Sequence, residues 1–229
     1  MKLRLKQNLK YVSIALLLFI GITAGLILFI TLGGQGYVRV SFDKDYYFLV
    51  KDCEEATVTA VSGDVYSSGG AGYFMENDNA VAIACYFKET SAQSVQKNLA
   101  MKGTETRLIV RSPSDLVLRG RKSSYKEQIQ SNLETVDTLA HILYDTANGL
   151  ERSELSQKEA KAALSGVVSS IRGLIEANED TVFSLWNTAL KEAQRRGAEL
   201  GDGLLFAKDL RYVQTMLCDK TADFANYFA

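Results

Sequence analysis

The 229 residues contain one proline, one histidine and one tryptophan, and the three cysteines include no C-x-x-C pair. Each scarcity closes a class of chemistry. With His141 alone, neither a histidine-based metal set nor an acid–base relay between imidazoles can be assembled. Cys53, Cys85 and Cys218 are odd in number and irregular in spacing, which indicates neither a zinc site nor a disulfide framework; Cys53 with Cys85 is the one pairing to test. With 26 basic against 27 acidic residues, the net charge of −1 lacks the electrostatic footprint of a nucleic-acid binder. No cofactor, no metal and no nucleic-acid partner is expected.

Charge is also missing from one long stretch. Tyr11 to Leu32, YVSIALLLFIGITAGLILFITL, carries no charged side chain. As a helix it would span roughly 33 Å, against roughly 30 Å of bilayer hydrocarbon, and is expected to be a transmembrane helix. Lys2, Arg4, Lys6 and Lys10 precede it, and Asp43 and Asp45 follow it. That asymmetry places the N-terminus in the cytoplasm and the remaining chain outside, as a single-pass protein of the cell membrane. A cleaved secretory signal is the rival reading, but its apolar run is usually about 7 to 15 residues and closes on an A-x-A site, which this one lacks.

Composition divides the rest. Residues 1–10 form a basic cytoplasmic tail, 11–32 the span, and 33–44 a linker opening with Gly33, Gly34 and Gly36. Residues 45–111 hold short aromatic and β-branched runs, 112–122 a second linker around Pro113, and 123–229 long helical periodicity.

In the first region Tyr46–Lys51 reads as a strand, and 54–67 is ambiguous between helix and strand. A glycine turn at 68–72 leads to a strand at Tyr73–Met75. Asn77-Asp78-Asn79 turns the chain into a strand from Ala80 to Phe87. A helix capped at Thr90 or Ser91 ends at Gly103, and Thr106–Val110 is the last strand. The order βαββαβ predicts a ferredoxin-like split βαβ sandwich with two helices on one face of four strands. Strand alternation then directs Phe48, Val50, Val81, Ile83, Cys85, Phe87, Leu108 and Val110 to the helices. It leaves Tyr47, Leu49, Lys51, Ala82, Ala84, Tyr86, Arg107, Ile109 and Arg111 on an open face, a shallow trough suited to an extended polymer.

The run GGAGYF-MENDN-AVAIACYF-KETSAQSVQKNLAMKGTETRLIV resembles the second half of a SPOR domain, the sporulation-related repeat, and Ala92, Leu99 and Gly103 match its helix pattern. The first strand departs from the pattern, because Val50-Lys51-Asp52-Cys53 lacks the usual glutamine and glycine. The resemblance implies binding of peptidoglycan glycan strands through the open face behind a single membrane anchor. Tyr47, Lys51, Tyr86, Arg107 and Arg111 are then the glycan-binding candidates.

In the last region Ile129, Leu133, Val136, Ala140, Leu143, Ala147 and Leu150 step by four and three along one helix. Ser156-x-x-Glu159 is a capping box opening a second, with Leu164, Val167, Ile171 and Leu174 inward. A third helix carries Val182, Trp186, Ala189 and Ala193 and is expected to stop at Gly197; a fourth carries Leu210, Val213, Leu217 and Phe224. The expectation is an all-α, up-and-down four-helix bundle, with His141 and Trp186 in structural roles.

The fold class is thus α+β: a transmembrane helix, a ferredoxin-like SPOR-type module and a helical bundle. The leading functional expectation is a non-catalytic peptidoglycan binder acting in cell division, sporulation or envelope organisation, whose helical domain engages envelope or divisome proteins. The alternative is an envelope scaffold or signalling protein whose two domains bind only proteins. An enzyme is the weakest reading, since no carboxylate pair for glycoside cleavage and no zinc set can be picked out.

Overall fold

The computed structural model of the chain describes residues 37–228. The expected span at Tyr11–Leu32 and the glycines after it lie outside the described residues. Among the described residues no helix is long and apolar enough to cross a membrane. The described residues divide into two units, one of 37–39 and 117–126, the other of 40–116 and 127–228.

Strand β1 (Tyr37–Val40) pairs with β6 (Leu116–Arg119) in a two-stranded sheet, all but Val40 and Leu116 of it in the first unit, and a 3-10 turn follows over Gly120–Tyr125. Both strands fall in stretches expected to be linkers. The overlooked signal is alternation: Leu116 and Leu118 are buried while Val117 and Arg119 are exposed, the period of a half-buried strand.

In the second unit the chain order is β2 (Tyr46–Asp52), α1 (Val58–Ser67), β3 (Tyr73–Met75), β4 (Ala80–Tyr86), α2 (Glu89–Met101) and β5 (Arg107–Arg111). The βαββαβ succession is present. The strands form one antiparallel sheet in the order β3-β4-β2-β5. The ambiguous stretch resolves as a 3-10 turn at Glu55–Thr57 followed by α1, because only one face needs burial and Val65 supplies it. Gly72 adopts φ +67°, and a Cβ there would stand 2.8 Å from the Ser62 carbonyl oxygen, so the turn needs glycine.

Register corrects the expected division of the sheet faces. Phe48 pairs with Cys85 and Ile109, and Leu49 with Ala84 and Leu108. Between Leu49 and Val50 the ladder shifts: Val50 pairs with Ala82, which leaves Ile83 as the extra residue of a β-bulge. Cross-strand partners share a face. Tyr46, Phe48, Val50, Ala82, Cys85, Arg107, Ile109 and Arg111 therefore lie on one side, and Tyr47, Leu49, Lys51, Ala84, Tyr86, Leu108 and Val110 on the other.

Four longer helices follow: α3 (Lys126–Glu151), α4 (Gln157–Ala177), α5 (Ser184–Gly201) and α6 (Ala207–Ala222), with a short α7 (Phe224–Phe228). Ile129, Leu133, Val136, Ala140, Leu143 and Ala147 are buried along α3, as their spacing predicts. The α4 capping box forms: Ser156 Oγ accepts from Glu159 N–H at 3.3 Å, and Glu159 accepts from Ser156 N–H at 2.8 Å. Gly197 does not end α5, which continues to Gly201. A Cβ at Gly197 would stand 2.7 Å from Val168 Cγ2, so this glycine lets α5 approach α4 closely.

Helix α6 differs most from expectation. It is not confined to a helical bundle beyond Pro113; it packs against β2, β3 and β4 as well as α5. Sheet and helices belong to the same unit. Burial reaches nearly around the helix, covering Asp209, Gln214, Thr215, Asp219 and Thr221 as well as Leu210, Val213 and Leu217. Their polar groups are met unevenly: Gln214 Nε2 donates to the Cys85 carbonyl at 3.3 Å and Thr221 Oγ1 to that of Leu217 at 2.8 Å, whereas Gln214 Oε1 and Thr215 Oγ1 are buried without a hydrogen-bond partner.

Candidate functional site

The five expected glycan-contacting residues do not converge on one open face. Arg107 and Arg111 lie on the side of the sheet that α6 covers, whereas Tyr47, Lys51 and Tyr86 lie on the other. The trough is closed because its polar floor meets matching groups on the helices. Tyr73 Oη donates to Asp219 Oδ2 at 2.9 Å, and Tyr46 Oη to Asp137 Oδ1 of α3 at the same distance. Burial pushes both phenols well above their ordinary values, so they remain donors.

Arg111 is held rather than offered. Its guanidinium bonds both Asp219 and Asp223 and lies 3.7 Å from Asp78. Burial raises the Asp219 carboxyl, and Arg111 opposes that rise. A cation surrounded by three carboxylates fastens β5 to α6 and has little left for a ligand.

Lys51 and Arg107 meet at the rim of the sheet. They line a groove of about 950 Å³ with Asp52, Gln93, Gln96, Lys97 and Glu105, among others. Arg107 donates to Asp52 Oδ1 at 2.7 and 3.0 Å, a pair that stands in the open. The lining offers amide and charged donors and acceptors but no aromatic ring on which a sugar could stack.

Tyr86 belongs elsewhere. It lines a cleft of about 460 Å³ with Tyr144 and Glu151 of α3, Arg211 and Gln214 of α6, and the start of α2. Burial pushes its phenol up to about 12. The Tyr86 and Tyr144 rings meet edge to face, with centroids 6.2 Å apart. Tyr47 is half-buried in β2, outside both cavities.

His141 stacks on Phe87 with ring centroids 3.6 Å apart, and Nε2 stands 3.9 Å from Asp137 Oδ2. Trp186 is fully buried and donates to Asn132 Oδ1 at 3.2 Å. Both have structural roles. All three cysteines are free thiols. Cys53 faces the Asn79 carbonyl, whereas Cys85 neighbours Cys218, and burial raises the Cys218 thiol well above its ordinary value. Among the described residues no group of histidines, cysteines and carboxylates is set to hold a metal ion.

Sequence reasoning passed over Gln93, Gln96 and Lys97, although they recur on one helix at steps of three and four and were thus recognisable as a polar stripe. No protein family, curated protein or solved structure matches the chain.

Proposed function

We propose that the chain is a non-catalytic scaffold of the cell envelope, tethered by residues 11–32, whose extracytoplasmic part binds proteins. In this reading the ferredoxin-type split βαβ module and the helices form one rigid body that presents surface patches. The observation that carries it is the closure of the sheet face by α6: the surface a polymer would lie across is occupied by the chain's own helix. What remains exposed includes apolar side chains. Leu204 and Phe206, in the loop before α6, are 64% and 49% exposed, and Lys208 lies over the Tyr66 ring beside them at 4.2 Å. Apolar residues rimmed by charge are the surface chemistry of a protein–protein contact.

Binding of peptidoglycan, as the SPOR resemblance implies, is the second reading. It is favoured by one observation: Lys51 and Arg107, two of the five nominated residues, share the rim groove with Gln93 and Gln96.

One experiment separates the two. A photo-crosslinking residue is placed in the full chain at Phe206 or at Lys97, and adducts are collected from intact envelopes. The scaffold reading expects discrete protein adducts from position 206 and no muropeptide adducts from 97. Muropeptide adducts at 97, together with pelleting of the chain on purified sacculi above a carrier-protein control, would replace it with the second reading.

A further inference from the structure

The cleft beside Tyr86 holds a polar atom that no group of the fold satisfies. Gln214 is fully buried on α6 and yet forms part of the cleft's lining. Its Nε2 is committed, donating to the Cys85 carbonyl at 3.3 Å and to Cys218 Sγ at 3.4 Å. Turning the amide over would set two oxygens against each other, so its orientation is fixed. Oε1 is left buried without a hydrogen-bond partner. A buried acceptor of this kind calls for a donor, and the cleft of about 460 Å³ is the route by which one reaches it.

The rest of the lining sets the remaining chemistry of the ligand. Tyr86 and Tyr144 form an aromatic wall, and burial pushes the Tyr86 phenol up to about 12, so it stays uncharged at neutral pH. Neutral aromatic rings favour a cationic donor, such as an ammonium group, over a hydroxyl. An anion is favoured elsewhere in the cleft. The lining carries two guanidiniums, Arg152 and Arg211, against one carboxylate, Glu151. Arg211 is held by Glu151 and by the Gly69 carbonyl at 3.3 Å, whereas Arg152 is exposed beside them. Thr90 and Ser91 line the cleft from the first turn of α2, whose N-cap residue, Lys88, makes no side-chain capping bond. Glu89, the acid of that turn, is engaged by Gln93 Nε2 at 2.8 Å. Excess positive charge and an uncapped helix start both attract a negative group. A small molecule that carries a cationic donor and an anion together is a zwitterion.

We propose that this cleft binds a free α-amino acid: its ammonium group donates to Gln214 Oε1 beside the two tyrosines, and its carboxylate is met by Arg152 and the start of α2. The site goes beyond the scaffold reading and does not depend on it, since every residue invoked lies in the second unit.

The test titrates the full chain, in a non-ionic detergent, with the standard amino acids one at a time, read by calorimetry and by thermal unfolding. At least one is expected to raise Tm by about 2 °C or more at millimolar concentration. Its deaminated acid and its carboxamide, each lacking one of the two charged groups, should bind at least about tenfold more weakly. Arg152→Gln, at an exposed position, should weaken binding at least about fivefold and leave the Tm of the unliganded protein unchanged, and Gln214→Met should abolish binding. Should Gln214→Met fail to fold, Arg152→Gln and the two ligand analogues decide. No response to any amino acid, equal binding of either analogue, or full affinity in Arg152→Gln overturns the amino-acid site. A response to glucose with none to amino acids overturns it too, by assigning Oε1 to a neutral polyol.

Discussion

Arg111 on the last strand of the sheet and Asp219 on α6 form an ion pair in which the side chains keep 15% and 9% of their exposure. It is the charged centre of the contact that closes the sheet face. Asp223 and Tyr73 complete the group. Removing one partner of such a pair strands the other charge in a low-dielectric site, a heavier loss than the pair's own attraction.

Arg111→Ala is expected to destabilise the protein by about 3 kcal/mol. Arg107→Ala breaks the Asp52 pair, whose side chains are 48% and 66% exposed, and should cost about 0.5 kcal/mol or less. Urea denaturation of the two variants checks the contrast. Similar midpoints for both would mean that Arg111 is not the fastening between sheet and helix.

A second buried network joins three helical elements. Asn132 Oδ1 accepts from Trp186 Nε1 at 3.2 Å and from Asn178 Nδ2 at 2.7 Å. Asn132→Ala leaves an indole N–H without its acceptor and should cost about 2 kcal/mol. Because Trp186 is the sole tryptophan, its fluorescence reports the site directly. Native emission should be that of an apolar environment, and the variant should unfold at lower urea through the same spectral change. A variant as stable as the parent would remove the network from the core's energetics.

Much of the architecture was readable where local rules agree. Tyr46–Asp52 and Ala80–Tyr86 are β-rich and bounded by turn residues, Gly103 takes the φ of +79° expected of a helix-ending glycine, and Ser156 with Glu159 caps α4. The site was not readable, for two physical reasons. One extra residue at Ile83 shifts the register, and strict alternation cannot anticipate a bulge. The second reason is α6: its aspartates and glutamine have the pattern of a solvated face, and only tertiary partners such as Tyr73 and Arg111 make their burial possible. Gly197 misled in the same way, since a close helix approach and a helix stop use the same residue.

The thiols supply a direct test of the sheet–helix contact. Cys85 and Cys218 are buried between β4 and α6, while Cys53 is partly exposed at the end of β2. One of the three thiols should react promptly with an aromatic disulfide reagent in the native state, and all three in urea. Cys53→Ser should abolish the prompt fraction, and Arg111→Ala should speed the slow ones by loosening α6. Prompt reaction of all three in the native protein would contradict the closed face.

Glu151 ties α3 to α6: Arg211 Nη1 donates to its Oε1 at 3.3 Å and Nη2 to its Oε2. Those bonds hold the carboxyl below its ordinary value of 4.5, with desolvation opposing. A depressed folded value means that the carboxylate's contribution is complete above the unfolded value and is lost as pH falls through the folded one. Asp219 runs the other way: burial raises its folded value, so protonation relieves a penalty as pH falls through it. The two trends overlap in the wild type, but the effect of Asp219 cancels in the difference between wild type and Glu151→Gln. Thermal unfolding followed by circular dichroism should therefore show a gap in Tm between the two proteins that is widest near about pH 7 and narrows toward about pH 3. A gap that stays constant with pH would assign the variant's effect to packing around Arg211 and not to the charge of Glu151.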